Sequence, residues 1–130
     1  GVVAEEVYFL KPKTLQNHHG GLLLIDGHIY GGHKHNGGDP ICIEMKSGKV
    51  KWGPEKGVGH GSACVTFVDG YLIYRYQSGH VALVKATPEG YKLEGSFMPA
   101  HQEAESWAHP VVSDGKLYIR EQNHIMCYQL

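Results

Sequence analysis

Histidine is the most prominent residue type able to do chemistry in this sequence, with ten copies in 130 residues. His33 and His35 are separated by one residue, so on a strand both side chains would point to the same face and could share a metal ion. His18 and His19 precede them, but no carboxylate or cysteine stands at a recognised ligand spacing. His33 and His35 are therefore weak metal candidates, and we predict a polar rim of loop histidines with no metal bound.

The other histidines fall in segments whose neighbours favour loops. His109 differs because it precedes Pro110 inside an apolar run, which favours a hydrogen-bonded core or channel position. Solvated positions are predicted for the four that lie beside Gly, Gln or Asn: His60, His80, His101 and His124.

Nucleophilic and phosphate-binding motifs are missing from the sequence. No Gly-x-Ser-x-Gly motif occurs, and Ser62 has no evident catalytic partners. The glycines form neither type of phosphate-binding loop. Cys42, Cys64 and Cys127 form no Cys-x-x-Cys pair, and each lies in an apolar run that predicts a small buried side chain. No catalytic residue is predicted, which favours a non-enzymatic protein without excluding an enzyme.

Composition bounds the classes of partner. Twelve basic and thirteen acidic residues leave a formal net charge of −1, which gives no electrostatic reason to expect nucleic acid or an anionic membrane. The longest apolar run, 22–25, is far shorter than the roughly 20 residues of a membrane helix. No signal peptide is visible at the start, and we expect these residues to be a piece of a longer protein. With 42% apolar and 19% charged residues, the chain can form one folded domain.

An internal repeat organises the chain. Asp26-Gly27, Asp69-Gly70 and Asp114-Gly115 are 43 and 45 residues apart, and each pair lies between two short apolar runs. Strand, Asp-Gly, strand is a strong hairpin signal, because a type I′ turn needs positive φ at both central residues. Helical periodicity is absent, so an all-β chain is predicted.

Other positions keep the same register. The residue 17 before each Asp is aromatic (Phe9, Trp52 and Phe97), and the residue six before is small. A third apolar run follows each hairpin, so the unit has four strands. Four-stranded units of 40 to 50 residues are typical of β-propeller blades. The predicted fold is all-β, with blades of four antiparallel strands.

A family resemblance follows from residues 41–52. This segment resembles the repeat of pyrroloquinoline-quinone (PQQ)-like bacterial propellers, which has a small residue, an acidic residue, Thr/Ser-Gly-Lys and a Trp that docks between blades. The matching positions are Cys42, Glu44, Ser47-Gly48-Lys49 and Trp52. Residues 81–97 match loosely, with Phe97 in place of Trp, and the last unit stops at its third strand. As architecture, the chain looks like the C-terminal portion of such a protein.

The resemblance implies a periplasmic or other extracytoplasmic location, and it makes PQQ and calcium the cofactors to consider. Enzymes of that class use a calcium site, a catalytic Asp, a stacking Trp and often adjacent cysteines. This sequence has no vicinal Cys pair, and its acidic residues are scattered in turns and outer strands. No cofactor is therefore predicted here. The preferred function is a binding or scaffold module of unknown ligand. The alternative is a fragment of a PQQ-dependent oxidoreductase-like protein whose cofactor site lies mainly outside these residues.

The repeat phase predicts one partial propeller domain over residues 1–130. Its blade units are approximately 12–54, 55–99 and 100–130, and a first strand at 6–11 completes a last blade. Three blades at about 60° each make half of a six-bladed ring. The expected partner is a second copy, with the N-terminal strand of each chain pairing with the C-terminal strand of the other.

Two sets of residues are singled out on this architecture. Segments that enter the inner strands ring the mouth of the channel, where a ligand funnel is predicted at His18, His19, Ser62, Trp107 and His109. Docking between blades is predicted for the aromatics Trp52, Phe9 and Phe97, with Gly48 in the supporting turn.

Overall fold

A computed structural model describes residues 1–103 and 105–130, and the secondary structure of these residues is entirely β. The strands are short, and every connection between successive strands of one sheet is a turn or a short loop. Their bounds are β1 Leu22–Ile25, β2 His28–His33, β3 Asp39–Glu44, β4 Val50–Trp52, β5 Ala63–Val68, β6 Tyr71–Tyr76, β7 Val81–Lys85, β8 Leu93–Phe97, β9 Val111–Ser113, β10 Lys116–Glu121 and β11 His124–Gln129.

The strands form three antiparallel sheets in chain order. Blade 1 is β1-β2-β3-β4, blade 2 is β5-β6-β7-β8, and blade 3 is β9-β10-β11. In each blade the first strand is at one edge and the last strand is at the other. The prediction of an all-β chain built from four-stranded blades, with a third blade that stops at its third strand, is confirmed.

The Asp-Gly turns have the predicted geometry. Both central residues are in the left-handed region in all three hairpins, as a type I′ turn requires. The φ angles are 46° and 75° at Asp26-Gly27, 45° and 83° at Asp69-Gly70, and 49° and 68° at Asp114-Gly115.

Blades 1 and 2 pack through an apolar core. Gly20 is one of the small residues that the repeat places where the blades converge. A side chain there would clash with blade 2, because a Cβ would lie 1.8 Å from the carbonyl oxygen of Ala63. Trp52 is only 8% exposed, and its indole Nε1 donates a hydrogen bond to the Thr87 carbonyl of blade 2 at 2.7 Å. Its ring also lies 5.7 Å from that of Tyr91. Buried residues of this core are Tyr30, Cys42 and Trp52 from blade 1 and Val65, Leu72, Tyr74, Ala82 and Val84 from blade 2.

Blades 2 and 3 pack through a smaller core of Ile73, Val81, Leu117 and Ile119. The opposite face of blade 3 is open. Its exposed side chains include Val111, Tyr118, Ile125 and Cys127. The prediction that Cys127 is buried is therefore wrong: alternation along β11 places its thiol on the open face, whereas Cys42 and Cys64 are buried.

The N-terminal segment differs from the prediction. Residues 6–11 form no strand, and Phe9 is 70% exposed rather than docked between blades. The segment lies beside the β3–β4 turn of blade 1, where the Tyr8 hydroxyl donates to the Met45 carbonyl at 2.6 Å. Gly48, with φ 70°, leaves room there, because a Cβ would lie 2.9 Å from the Tyr8 ring. A lone segment without a sheet edge beside it cannot form ladder hydrogen bonds.

Phe97 is also less enclosed than predicted. It is 37% exposed, and its ring contacts that of Tyr128 of blade 3 at a centroid distance of 5.0 Å. Among the residues that the structure describes, no segment of blade 3 covers Phe97 in the way that the loop carrying Thr87 and Tyr91 covers Trp52. Trp52 and Phe97 thus end the fourth strands of their blades with different degrees of burial, whereas Phe9 lies in no strand.

Candidate functional site

One end of the blades carries most of the histidines. Because the strands alternate in direction, the loops that enter β1, β5 and β9 lie at the same end as the turns between the second and third strands. We call this the upper end. The predicted funnel residues all belong to these loops.

His18 is held at the upper end by two neighbouring loops. Its Nδ1 lies 2.8 Å from the Ser62 hydroxyl, which also donates to the His35 carbonyl at 3.1 Å. The imidazoles of His18 and His35 are in contact, with centroids 4.1 Å apart. Ser62 therefore links the loop entering β1, the β2–β3 turn and its own loop before β5.

His19 connects this group to blade 3. Its ring meets the Trp107 indole edge-on at 5.5 Å and lies 4.8 Å from the His18 ring. His109 Nε2 lies 3.4 Å from the His19 carbonyl oxygen. Among the described residues, His19 Nε2 has no hydrogen-bond partner although it is buried. An unpaired buried ring nitrogen is uncommon in a folded protein, and it calls for a partner such as an ordered water molecule or for a shift of the ring that opens it to solvent.

Burial, and then the neighbouring imidazoles of His18, His109 and His35, lower the pKa of His19. At neutral pH the ring is therefore uncharged and can donate through one nitrogen and accept through the other. Trp107 is 50% exposed and offers an apolar face beside it. Polar ring nitrogens next to an exposed aromatic face suit hydrogen bonding combined with stacking on a flat group.

The structure brings all five predicted funnel residues together and adds His35. We call these six residues, His18, His19, His35, Ser62, Trp107 and His109, the upper-end cluster. Sequence reasoning had grouped His35 with His33 instead. The repeat register could have placed His35 correctly. In a four-stranded blade, the β2–β3 turn that carries His35 lies at the same end as the loops that enter the inner strands.

His33 and His35 are not a pair. β2 ends at His33, so the alternation that would align the two side chains stops there. His33 is 5% exposed, and its Nδ1 accepts the backbone amide of Gln16 at 3.1 Å. Burial lowers its pKa as well. The condition for a shared face, one strand running through both histidines, is therefore not met.

A second cluster was missed by sequence reasoning. His101, Glu103 and His124 meet where the loop entering β9 approaches the β10–β11 turn, and they are exposed or half-buried. His101 Nε2 lies 2.9 Å and His124 Nδ1 lies 3.6 Å from the same Glu103 oxygen. His101 and His124 were predicted as separate solvated loop residues. From sequence, only the repeat register indicates that the loop entering β9 and the β10–β11 turn both lie at the upper end.

Comparison with known proteins supports the fold class. The three sheets are those of β-propeller blades, and a similar solved structure is the β-propeller BamB from Moraxella catarrhalis, with a TM-score of 0.57 and 12% sequence identity. The alignment covers 84% of this chain and 30% of the BamB chain, so this chain spans about a third of that protein. At this identity the likeness establishes the propeller fold alone.

No protein-family model matches the chain, and no curated protein matches it significantly in sequence. Within the described part of the chain, no helix is long and apolar enough to cross a membrane.

Proposed function

We propose that this chain is a non-enzymatic β-propeller binding or scaffold module that holds its ligand at the upper-end cluster. The observation that carries the proposal is the convergence of loops from all three blades: Ser62 of blade 2 bonds to His18, and Trp107 and His109 of blade 3 contact His19. The exposed imidazoles of His18 and His35, beside the exposed face of Trp107, offer hydrogen bonding and stacking to another molecule.

An uncharged, extended peptide with an aromatic side chain matches this chemistry. The imidazoles can bond to peptide amides and carbonyls, and the Trp107 face can stack on a ring. None of the six cluster residues has a carboxylate or a fixed positive charge, so the cluster offers no strong complement to a charged ligand.

An array of immobilised, uncharged ten-residue peptides tests the proposal. The labelled 130-residue protein is applied as wild type, Trp107→Ala, His19→Ala and the control Phe67→Ala, which removes an aromatic of similar exposure (43%) on β5. We expect binding to aromatic-containing peptides that falls at least tenfold in the two cluster variants and persists in the control. Binding that survives Trp107→Ala and His19→Ala would place the ligand elsewhere.

A fragment of a PQQ-dependent oxidoreductase-like protein is the alternative, and the matching segment at 41–52 is what favours it. Three features support membership of the PQQ-like repeat family: the buried Trp52, the positive φ of Gly48 and the hydrogen bond from the Ser47 hydroxyl to Glu44. An extracytoplasmic location would follow from that membership.

The residues of the upper-end cluster do not fit the cofactor of that family. Calcium takes six to eight oxygen ligands, mostly carboxylates and carbonyls. The cluster offers imidazole nitrogens and a single hydroxyl that is already shared between His18 and His35. Absorbance of the purified chain with added PQQ and calcium separates the two functions, because a bound quinone band would favour the oxidoreductase.

Assembly of a ring is the second part of the proposal. Residues 8–10 lie against the β3–β4 turn of blade 1, much as Trp52 lies against the β7–β8 loop of blade 2. They therefore occupy the place of a fourth strand in a blade that precedes blade 1. β11 is the outer edge of its sheet, and no fourth strand pairs with it in the described part of the chain. We propose that two copies of these 130 residues form a six-bladed ring, residues 6–11 of each completing blade 3 of the other.

Light scattering tests this assembly. We expect about twice the 14.4 kDa chain mass for the wild type and the monomer mass after deletion of residues 1–11. A folded monomer of the wild type would overturn the ring of two copies and favour blades supplied by a longer chain.

A further inference from the structure

We propose that His101, Glu103 and His124 form a binding site for a divalent transition-metal ion of the zinc class. Among the residues that the structure describes, these are the one group of three His, Cys, Asp or Glu side chains whose ligand atoms all lie within 4.8 Å of one another. Two imidazoles and one carboxylate are the ligand set of many zinc sites that keep a position open for water. The site is separate from the upper-end cluster and does not depend on its proposed function.

The spacing of the ligand atoms fits a small tetrahedral ion. Zn–N and Zn–O bonds of about 2.0–2.1 Å at tetrahedral angles place neighbouring ligand atoms about 3.3 Å apart. The two distances to Glu103 Oε1, 2.9 Å from His101 Nε2 and 3.6 Å from His124 Nδ1, lie on either side of that value. The two imidazole rings stack on each other, with centroids 3.6 Å apart at an angle of 40°, so binding one tetrahedral ion requires the rings to move apart until both nitrogens point at it. The three side chains are exposed or half-buried, which leaves room for this rotation.

Backbone hydrogen bonds hold the loop that carries two of the ligands. The amide of Ala100 donates to the Tyr128 hydroxyl at 3.0 Å, and the amide of His101 lies 3.4 Å from the Met126 sulfur. The amide of Glu103 donates to Glu121 at 3.4 Å. Every one of these partners belongs to β10 or β11 of blade 3. Residues 100, 101 and 103 are thus held against the blade that supplies His124, which lowers the entropic cost of binding an ion.

The ligand chemistry selects the class of ion. Imidazole nitrogens favour zinc, copper and nickel over calcium and magnesium, which prefer oxygen. A single carboxylate is too few for a calcium site. Because the three residues are exposed or half-buried, the fourth position is open to water. Bound metal would tie the loop entering β9 to the β10–β11 turn and so stabilise blade 3 against unfolding.

Calorimetric titration of the metal-free 130-residue protein with zinc chloride tests the site. We expect one ion per chain, and at least a tenfold weaker affinity in Glu103→Gln and in His124→Asn. Zinc at ten times the wild-type Kd should raise the thermal midpoint of the wild type clearly more than that of the two variants. Circular dichroism of both variants checks that they fold, which the exposure of these side chains favours.

Three control variants exclude other zinc ligands. Cys127→Ser removes the exposed thiol, His60→Asn an exposed loop imidazole, and His18→Asn a member of the upper-end cluster. All three should bind zinc like the wild type. Unchanged zinc affinity in His124→Asn, loss of binding in His18→Asn, or one ion shared by two chains would each overturn the site.

Discussion

Arg75 and Glu121 form a salt bridge between blades 2 and 3 in which both side chains are fully buried. Glu121 also accepts a hydrogen bond from the Ser106 hydroxyl at 2.6 Å, and Arg75 donates to the Gly79 carbonyl. Burial lowers the pKa of Arg75, while the Glu121 carboxylate raises it. The pair is thus a buried polar link between the two blades, and each charge depends on the other for compensation.

Removing one partner of this pair should be costly. Glu121→Gln leaves the Arg75 guanidinium buried without its counter-ion, so we expect a loss of about 3–5 kcal/mol in the free energy of unfolding, measured in urea. The control is Lys34→Met, which breaks an exposed ion pair with Asp39 at 3.7 Å and should cost less than about 1 kcal/mol. Equal effects of the two substitutions would contradict the buried link.

Trp52 gives a prediction with an internal control, because the repeat places Phe97 in the equivalent position. Trp52→Ala removes a buried indole and its hydrogen bond to Thr87, and should cost about 3–5 kcal/mol. Phe97→Ala removes a ring that is 37% exposed and should cost clearly less. Chemical denaturation of both variants measures the difference, and a loss below about 1 kcal/mol for Trp52→Ala would remove its packing role.

The repeat made most of the fold predictable from sequence. Asp-Gly pairs fix hairpin geometry locally, so Gly27, Gly70 and Gly115 could be placed without knowing the packing. The burial of Trp52 likewise follows from a motif that includes its own supporting turn. These features depend on residues close to each other in the chain.

The features that the sequence did not predict depend on contacts between residues that are far apart in the chain. A strand at residues 6–11 requires a sheet edge, and a single chain gives that segment none, so Phe9 stays exposed. The approach of His124 to His101 and Glu103 depends on how a long loop folds onto blade 3, which no local pattern encodes. Five members of the upper-end cluster could be grouped from sequence because the segments that enter the inner strands have equivalent places in successive repeats. His35 was missed because it lies in the β2–β3 turn, which meets those segments only in the folded blade.

Alanine substitution at two glycines with equal space around them should have different effects on stability, because their backbone conformations differ. Gly70 and Gly95 would both carry a Cβ with nothing within 4 Å, but only Gly70 has a positive φ, 83°. Gly70→Ala should therefore lower the free energy of unfolding by about 1–2 kcal/mol. Gly95→Ala, on the exposed strand β8, should be neutral or slightly stabilising. Thermal melts of the two variants would contradict the turn assignment if the order were reversed.

Thiol reactivity should report the burial of the cysteines. Burial raises the pKa of Cys64 to about 11 and also raises that of Cys42, so both thiols resist alkylation at pH 8. Cys127 is exposed on the open face of blade 3. In native protein, mass spectrometry should find iodoacetamide on Cys127 first, and on all three thiols after denaturation. If two copies form the proposed ring, labelling of Cys127 should slow as protein concentration rises.

Stability should fall below neutral pH because of two buried histidines. Burial lowers the pKa of His33 and of His19, so both imidazoles stay neutral in the folded protein below their ordinary value of 6.5. In the unfolded chain the same groups take up protons as the pH falls through 6.5. Between that pH and the lowered pKa, the unfolded state binds more protons, so the free energy of unfolding decreases as the pH decreases. Above pH 6.5 both histidines are neutral in the folded and in the unfolded state, so this loss of unfolding free energy is absent there.

His33→Asn isolates one of these groups. The Asn side-chain oxygen can replace Nδ1 as acceptor for the Gln16 amide, which lies 3.1 Å from it, while removing the titrating ring. We expect urea melts of the variant and the wild type to differ by a constant amount above pH 7 and to converge as the pH falls from 6.5 to 5. The physical reason is that only the wild type pays the cost of keeping this ring neutral. Parallel curves over the whole range would show that His33 titrates alike in the folded and unfolded states.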